Sequence, residues 1–248
     1  MDVEFASFIF VGFLAEMIDG SLGMAYGVTS TTCLLGLGLS PAAASASCHL
    51  SEVFTTAMSG LSHWWLGHVE SRTFRYLAVA GVAGGVTGAY ILTSLPGKIV
   101  RPAVSLYLLV MGLVILKNSF RPRPQKPPLS NKELLGLGAG GGFLDAIGGG
   151  GWGPVVTTTL LARGGHARNV IGSVNLAEFF VTVAAAATFL ATAQKLEWRA
   201  IAGLILGGVV AAPLAAYVTR LLSPRVLATA VGALITGLSI WNLVGSLR

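Results

Sequence analysis

Along the chain, long apolar runs alternate with short polar breaks at a spacing that predicts membrane-crossing helices. Six runs, Pro41 to Leu61, Phe74 to Leu92, Ile99 to Ile115, Asn169 to Leu190, Ala200 to Val218 and Val226 to Val244, are each close to the roughly 20 residues that span a hydrocarbon core. Two further runs are shorter. Phe5 to Ile18 and Leu134 to Ile147 hold about 14 residues, roughly 21 Å of helix, against about 30 Å of hydrocarbon, so neither crosses alone. Each ends in a Gly-rich break followed by a second short apolar run, Val28 to Leu39 or Val155 to Ala162. Two short helices joined by a break form a re-entrant or hairpin element, and irregular backbone at that depth is tolerated only where protein or water covers it. The pattern predicts an all-α polytopic membrane protein.

The pattern also repeats at an offset of 126. Asp19-Gly20-Ser21-Leu22-Gly23-Met24-Ala25-Tyr26-Gly27 lies over Asp145-Ala146-Ile147-Gly148-Gly149-Gly150-Gly151-Trp152-Gly153. Ser47-Cys48-His49-Leu50-Ser51-Glu52 lies over Ser173-Val174-Asn175-Leu176-Ala177-Glu178, and Ala89-Tyr90 over Ala216-Tyr217 one residue later. The chain therefore reads as two copies of one unit, residues 1–116 and 132–248, joined by a basic, Pro-rich linker at 117–131. If each broken element returns to its starting side, three crossings follow it in each half, and the two repeats are inverted. Internal duplication with a Gly-interrupted apolar segment in both halves points to a secondary transporter with its site near the membrane midplane.

Composition agrees with this class. Hydrophobic residues make up 54% of the chain and charged residues 10%, against about 25% charged in a soluble domain. Asp2 and Glu4 stand where a signal peptide would carry basic residues, so the first segment is expected to stay in place. The net charge of +6 collects in short loops, which is a membrane-orientation pattern and not a nucleic-acid footprint. In the inverted arrangement eleven of the 16 basic residues face the cytoplasm, against ten in a parallel arrangement. Both termini are then extracytoplasmic. Cys33 and Cys48 have no metal-ligand spacing and read as buried small hydrophobes. No metal, no cofactor and no nucleotide-binding motif is expected.

Each break is followed by what reads as a helix N-terminus, Gly27 to Thr32 and Gly153 to Thr159. Exposed N–H groups there make an anion site without a fixed positive charge. Gly149, Gly150, Gly151 and Gly153 would let backbone approach the anion, Thr29 and Thr157 would add hydroxyls, and Tyr26 and Trp152 would wall the cavity. The competing reading is that these small residues permit close helix packing. His49 and Glu52, like Asn175 and Glu178, are spaced i, i+3 and share one helical face. His49 and Asn175 are candidate ligand contacts. Glu52 and Glu178 are candidate coupling or gating groups, with a structural, hydrogen-bonded acid as the alternative. Glu16, Asp19 and Asp145 flank the breaks, where a carboxylate repels an anion unless it is protonated or paired. Proton or cation coupling would remove that conflict, and capping of the break would equally explain Asp19. Trp64, Trp65, Trp198 and Trp241 fall near span ends as interface anchors.

These features together resemble the TauE/SafE family of sulfite and organosulfonate exporters, over nearly the whole length and most clearly at Asp145-Ala146-Ile147-Gly148-Gly149-Gly150-Gly151-Trp152-Gly153-Pro154. The first half departs from the pattern in lacking a proline after its break. The resemblance implies transport of small sulfur-containing anions such as sulfite or sulfoacetate, outward, across a bacterial inner membrane. The expected partners are that anion, the lipid bilayer and a proton or other coupling ion, with a homo-oligomer left open. An intramembrane enzyme acting on a lipid phosphate is the alternative, as is transport of another small anion. Phosphoryl transfer needs a cationic clamp, and every Lys and Arg lies in or beside a loop.

Overall fold

The structure is a computed structural model that describes residues 3–22, 24–120, 127–163, 166–193, 195–218 and 224–246. Gly23 of the first break, linker residues 121–126, and Arg220 and Arg248 of the charge count lie outside the described residues. All regular structure among the described residues is helical. The helices are α1 (Val3–Leu22), α2 (Tyr26–Gly36), α3 (Pro41–Trp65), α4 (Ser71–Ser94), α5 (Gly97–Ser119), α6 (Asn131–Gly148), α7 (Gly153–Ala162), α8 (Ala167–Thr192), α9 (Trp198–Val218) and α10 (Pro224–Ser246).

Local chemistry sets several of these limits. Ser40 caps α3 by accepting from the Ala43 N–H, and Pro41 fills the first turn, where its missing donor costs nothing. Ser130 and Glu133 form a reciprocal capping box that starts α6 at Asn131, three residues before its apolar run begins. That cap lengthens α6 to 18 residues, and α1 runs through Asp19 to reach 20 residues. Both exceed the 14 residues expected from hydrophobicity alone, because polar end turns carry no apolar signal yet still complete the helix. At about 1.5 Å per residue, α1 reaches the roughly 30 Å of a hydrocarbon core.

Among the described residues four stretches are long and apolar enough to cross a membrane: Ser71–Ser94, Gly97–Ser119, Asn169–Thr192 and Ala228–Gly245. Of the other two predicted runs, α3 is less apolar, since its 25 residues include His49, Glu52 and a series of serines, and α9 runs for 21 residues over Trp198–Val218.

Packing crosses between the halves. The first helix of each half lies along the fourth helix of the other, α1 on α9 and α6 on α4. Glycine brings these backbones together. A Cβ on Gly203 would stand 2.6 Å from Phe8 Cβ, and one on Gly138 would stand 2.9 Å from the Leu77 carbonyl oxygen. Without a hydrophobic drive between helices in lipid, such close approach supplies the van der Waals contact that holds them. Phe8 meets Gly203 and Phe13 meets Gly207, so α1 and α9 run the same way. Leu77 meets Gly138 and Phe143 meets Gly88, so α4 and α6 do too. The corresponding helices α3 and α8 run oppositely, since His49 meets Phe189 while Gly60 meets Leu176. So do α5 and α10, where Gly112 meets Thr236 and Gly232 meets Leu116.

The two ends of the bundle differ. At one end a cavity of about 760 Å³ opens between the start of α1, the turns at 37–41 and 94–97, and the 193–197 loop, with Glu4, Ser40, Thr93 and Lys195 in its wall. At the other end surface contacts join the start of α4, the end of the linker, α6 and α7. Arg72 donates to the Leu129 carbonyl and to Asn131, and Arg163 lies 3.3 Å from Glu133 and reaches the Pro127 carbonyl. Trp64, Trp65, Trp198 and Trp241 are all exposed on the outer surface, as expected of interface anchors.

Candidate functional site

The two breaks meet inside the bundle. A Cβ on Gly27 would stand 2.6 Å from Gly150 Cα, and one on Gly153 would stand 2.7 Å from Met24 Cβ. Three side chains hold the second break's carbonyls: the Thr31 hydroxyl donates to Gly149 O at 2.6 Å, Ser45 to Ala146 O at 2.6 Å, and Tyr107 to Gly150 O at 2.9 Å. Gly149 turns through the left-handed region at φ +67°, which a residue without a Cβ adopts freely. In the first break a left-handed position falls to Ala25, at φ +87°. Helix α7 opens with a π turn over Gly153–Thr157, placed where Pro154 removes a backbone donor.

Both aspartates cap. Asp19 Oδ1 accepts from the Tyr26 N–H at 3.2 Å, and Asp145 Oδ1 accepts from the Trp152 N–H at 3.1 Å. The spacing is seven residues in each half, so each carboxylate folds back across its own break onto the start of the next helix. The positive end of that helix is thereby occupied by a side chain of the protein.

The second oxygen of each aspartate separates the halves. Asp145 Oδ2 lies 3.1 Å from His49 Nε2, and both residues are buried, at 2% and 0% exposure. The position equivalent to His49 is Asn175, whose amide instead donates to Ser59 Oγ at 2.7 Å.

Beside this pair lies a small chamber of about 10 Å³, room for roughly one water. Asp19, Tyr26, Glu52, Asp145, Trp152 and Glu178 line it together with Gly27, Gly150, Gly151 and Gly153. No Lys or Arg is among its lining residues. Glu52 is 5% exposed, and its carboxylate accepts from the Cys48 thiol at 3.9 Å. The Tyr26 hydroxyl pairs with Ser51 at 3.1 Å, and the Trp152 indole donates to the Val174 carbonyl at 3.2 Å.

Most of the residues that the sequence singles out are therefore brought together, at the chamber or one contact from it. Asn175 is not, since it faces Ser59. Gly149 stands just outside the chamber against Thr31. Thr29 and Thr157 are buried with unpartnered hydroxyls and do not line the chamber. Sequence reasoning missed Thr31, Ser45 and Tyr107, which hold the break, and placed Glu16 beside the first break, where its Oε2 is buried and unpartnered. Thr31 stands 126 residues before Thr157, so the repeat itself carried that signal. Tyr107 had none, being a lone tyrosine in an apolar helix. Among the described residues no cluster of three or more His, Cys, Asp or Glu is arranged to hold a metal ion.

A family model described as "Sulfite exporter TauE/SafE" matches residues 8–241. The "Probable membrane transporter protein YtnM" of Bacillus subtilis (strain 168) is 44% identical over 236 residues, covering 92% of this chain and 79% of that protein. No solved structure matches the chain. With a helical bundle carrying four membrane-length spans and a polar chamber where its two broken elements meet, this chain belongs to the sulfite exporter TauE/SafE family and is a multi-pass cell-membrane transporter.

Proposed function

We propose that the protein is a secondary transporter, in the export direction, of small organosulfur anions such as sulfite, sulfoacetate or related sulfonates. The observation that carries this reading is the meeting of two helix starts at one buried chamber, with His49 beside it and no Lys or Arg in its wall. A site of that kind suits a small oxyanion, held by backbone donors and an imidazole and never by a permanent countercharge. The 760 Å³ cavity supplies an approach from one end of the bundle, and the contacts of Arg72 and Arg163 bridge helices at the other. The opposed directions of α3 and α8, and of α5 and α10, support two inverted repeats. Glu52 and Glu178 stand at matching positions of the two halves, both lining the chamber, and serve as coupling groups. A phosphatase reading gains nothing from a chamber wall without a basic residue.

The decisive experiment is flux into or out of liposomes containing the purified protein, comparing sulfite, sulfoacetate, taurine and phosphate. Movement of sulfite or sulfoacetate with phosphate excluded is expected, and movement of none of the four would reject the reading. Glu52→Gln and Glu178→Gln are each expected to cut sulfite flux by about tenfold or more and to flatten its pH dependence. Wild-type rates with an unchanged pH profile would make both acids structural. A cysteine at Ser119 is expected to stay unlabelled by an impermeant reagent from outside the cell, and one at Ser246 to be labelled.

A further inference from the structure

The chamber already contains an anion, and it belongs to the protein. Asp145 occupies both donors that an incoming oxyanion would use, the Trp152 N–H at the start of α7 and His49 Nε2. The far side of the imidazole shows what Nε2 carries. His49 Nδ1 lies 2.8 Å from the Ser45 carbonyl oxygen, which can only accept, so Nδ1 bears a hydrogen. Nε2 then faces a carboxylate, which also accepts. A hydrogen bond between them requires one proton more than a neutral imidazole and an ionised carboxyl provide, so the pair holds an imidazolium against a carboxylate, or its proton-transferred equivalent.

We propose that Asp145 is a resident stand-in for the substrate. An entering oxyanion takes the hydrogen bonds of His49 Nε2 and Trp152 N–H, and the displaced Asp145 carboxylate takes up a proton from solvent as it leaves. Room for this is made by the same movement, because the chamber holds about one water while Asp145 is seated. The groups that face Asp145 agree with proton uptake. Asp19 on α1, Glu52 on α3 and Glu178 on α8 line the chamber with Asp145, and Glu16 on α1 is a further acid near Glu52. Tyr26 on α2, Cys48 on α3 and Tyr107 on α5 add no cation. A displaced carboxylate among four acids has no countercharge other than a proton. Glu52, buried at the chamber and accepting from a thiol, is a second acid under the same pressure. A monovalent anion bound together with one proton adds no net charge, so its movement responds to the pH gradient and not to the membrane potential.

This inference rests on the anion-transport reading, and one experiment separates the two. Sulfite binding to the purified full-length protein is measured by calorimetry at one pH, in two buffers of different ionisation enthalpy, which gives affinity and protons taken up per sulfite. Asp145→Asn keeps an oxygen to cap Trp152 and has no carboxyl to protonate, so its infrared difference spectrum on adding sulfite is expected to lack a protonated-carboxyl band. Infrared difference spectra of the wild type, which need no variant to fold, are expected to gain a protonated-carboxyl band when sulfite is added. Sulfite binding by the wild type without that band, or the same band in Asp145→Asn, would overturn the stand-in alone. Failure of the wild type to bind sulfite or sulfoacetate would overturn the transport reading and the stand-in with it.

Discussion

The two breaks are built to one plan and finished differently. Each is crossed by an aspartate that caps a helix seven residues on. What reaches the aspartate's other side differs: an imidazole in the second break, while its counterpart Asn175 turns away to Ser59. A device present in both copies serves the shared backbone problem, which is to stop one helix and start another inside a bundle. A device present in one copy serves chemistry. The aspartates are therefore the scaffold of the breaks, and the single histidine is what gives one of them a chargeable face.

That contrast can be broken at several points. The largest effect is expected at Gly150, where a Cβ would strike the backbone of Gly27 and Val28. Gly150→Val should cost about 3 kcal/mol or more, read as a lowered midpoint in thermal unfolding, whereas Gly136→Val, with open space around it, should leave the midpoint nearly unchanged. Equal midpoints would mean that the breaks do not pack on each other. Next comes the asymmetry itself. His49→Ala leaves a buried carboxylate short of its partner and should cost about 3 kcal/mol, while Asn175→Ala removes one hydrogen bond at a cost of about 1 kcal/mol. Matching losses in denaturant titrations would erase the distinction drawn between the halves.

Ala25→Gly should change stability by less than about 1 kcal/mol, since relief of the left-handed strain is offset by the lost methyl and a freer unfolded chain. A loss of several kcal/mol would show that the methyl is needed for packing. The smallest effect lies at the α3–α4 turn. His63 and His68 stand with their Nδ1 atoms 3.1 Å apart, and burial, followed by repulsion from His68, holds His63 below the ordinary histidine value. The unfolded chain then binds the extra proton more readily, so stability should fall as the pH drops through the ordinary histidine range near about 6.5 and be fully present above it. His63→Gln should flatten this shallow slope, and an identical slope in the variant would assign it elsewhere.

The helices were largely legible in the sequence because apolar runs and their breaks are one-dimensional signals. The duplication also placed Asp19 over Asp145 and His49 over Asn175 before any coordinates. Helix ends were less visible: Asn131, Lys132 and Glu133 look like loop, and only the Ser130–Glu133 box shows that they are helix. The role of the glycines was underdetermined, because a flexible anion loop and a close packing contact ask for the same residue. Gly150 against Gly27 shows the packing demand directly. The partners of the break were hidden for a different reason. Thr31, Ser45 and Tyr107 come from three helices distant in sequence, and their hydroxyls converge on the break's carbonyls only after the bundle has formed.

The exchange of first helices between halves also fixes the order in which the protein can be made. Helix α1 leaves the ribosome first, yet the surface it lies along, α9, is among the last to appear. At typical synthesis rates residues 23–197 take about 10 to 35 s, during which the Gly12 face of α1 has lipid or the insertion machinery for company and not Leu204. The first half cannot mature on its own. A chain stopped at the linker would present α1 and α4 without their mates, and quality control would meet the protein as two incomplete bundles until the final helices arrive.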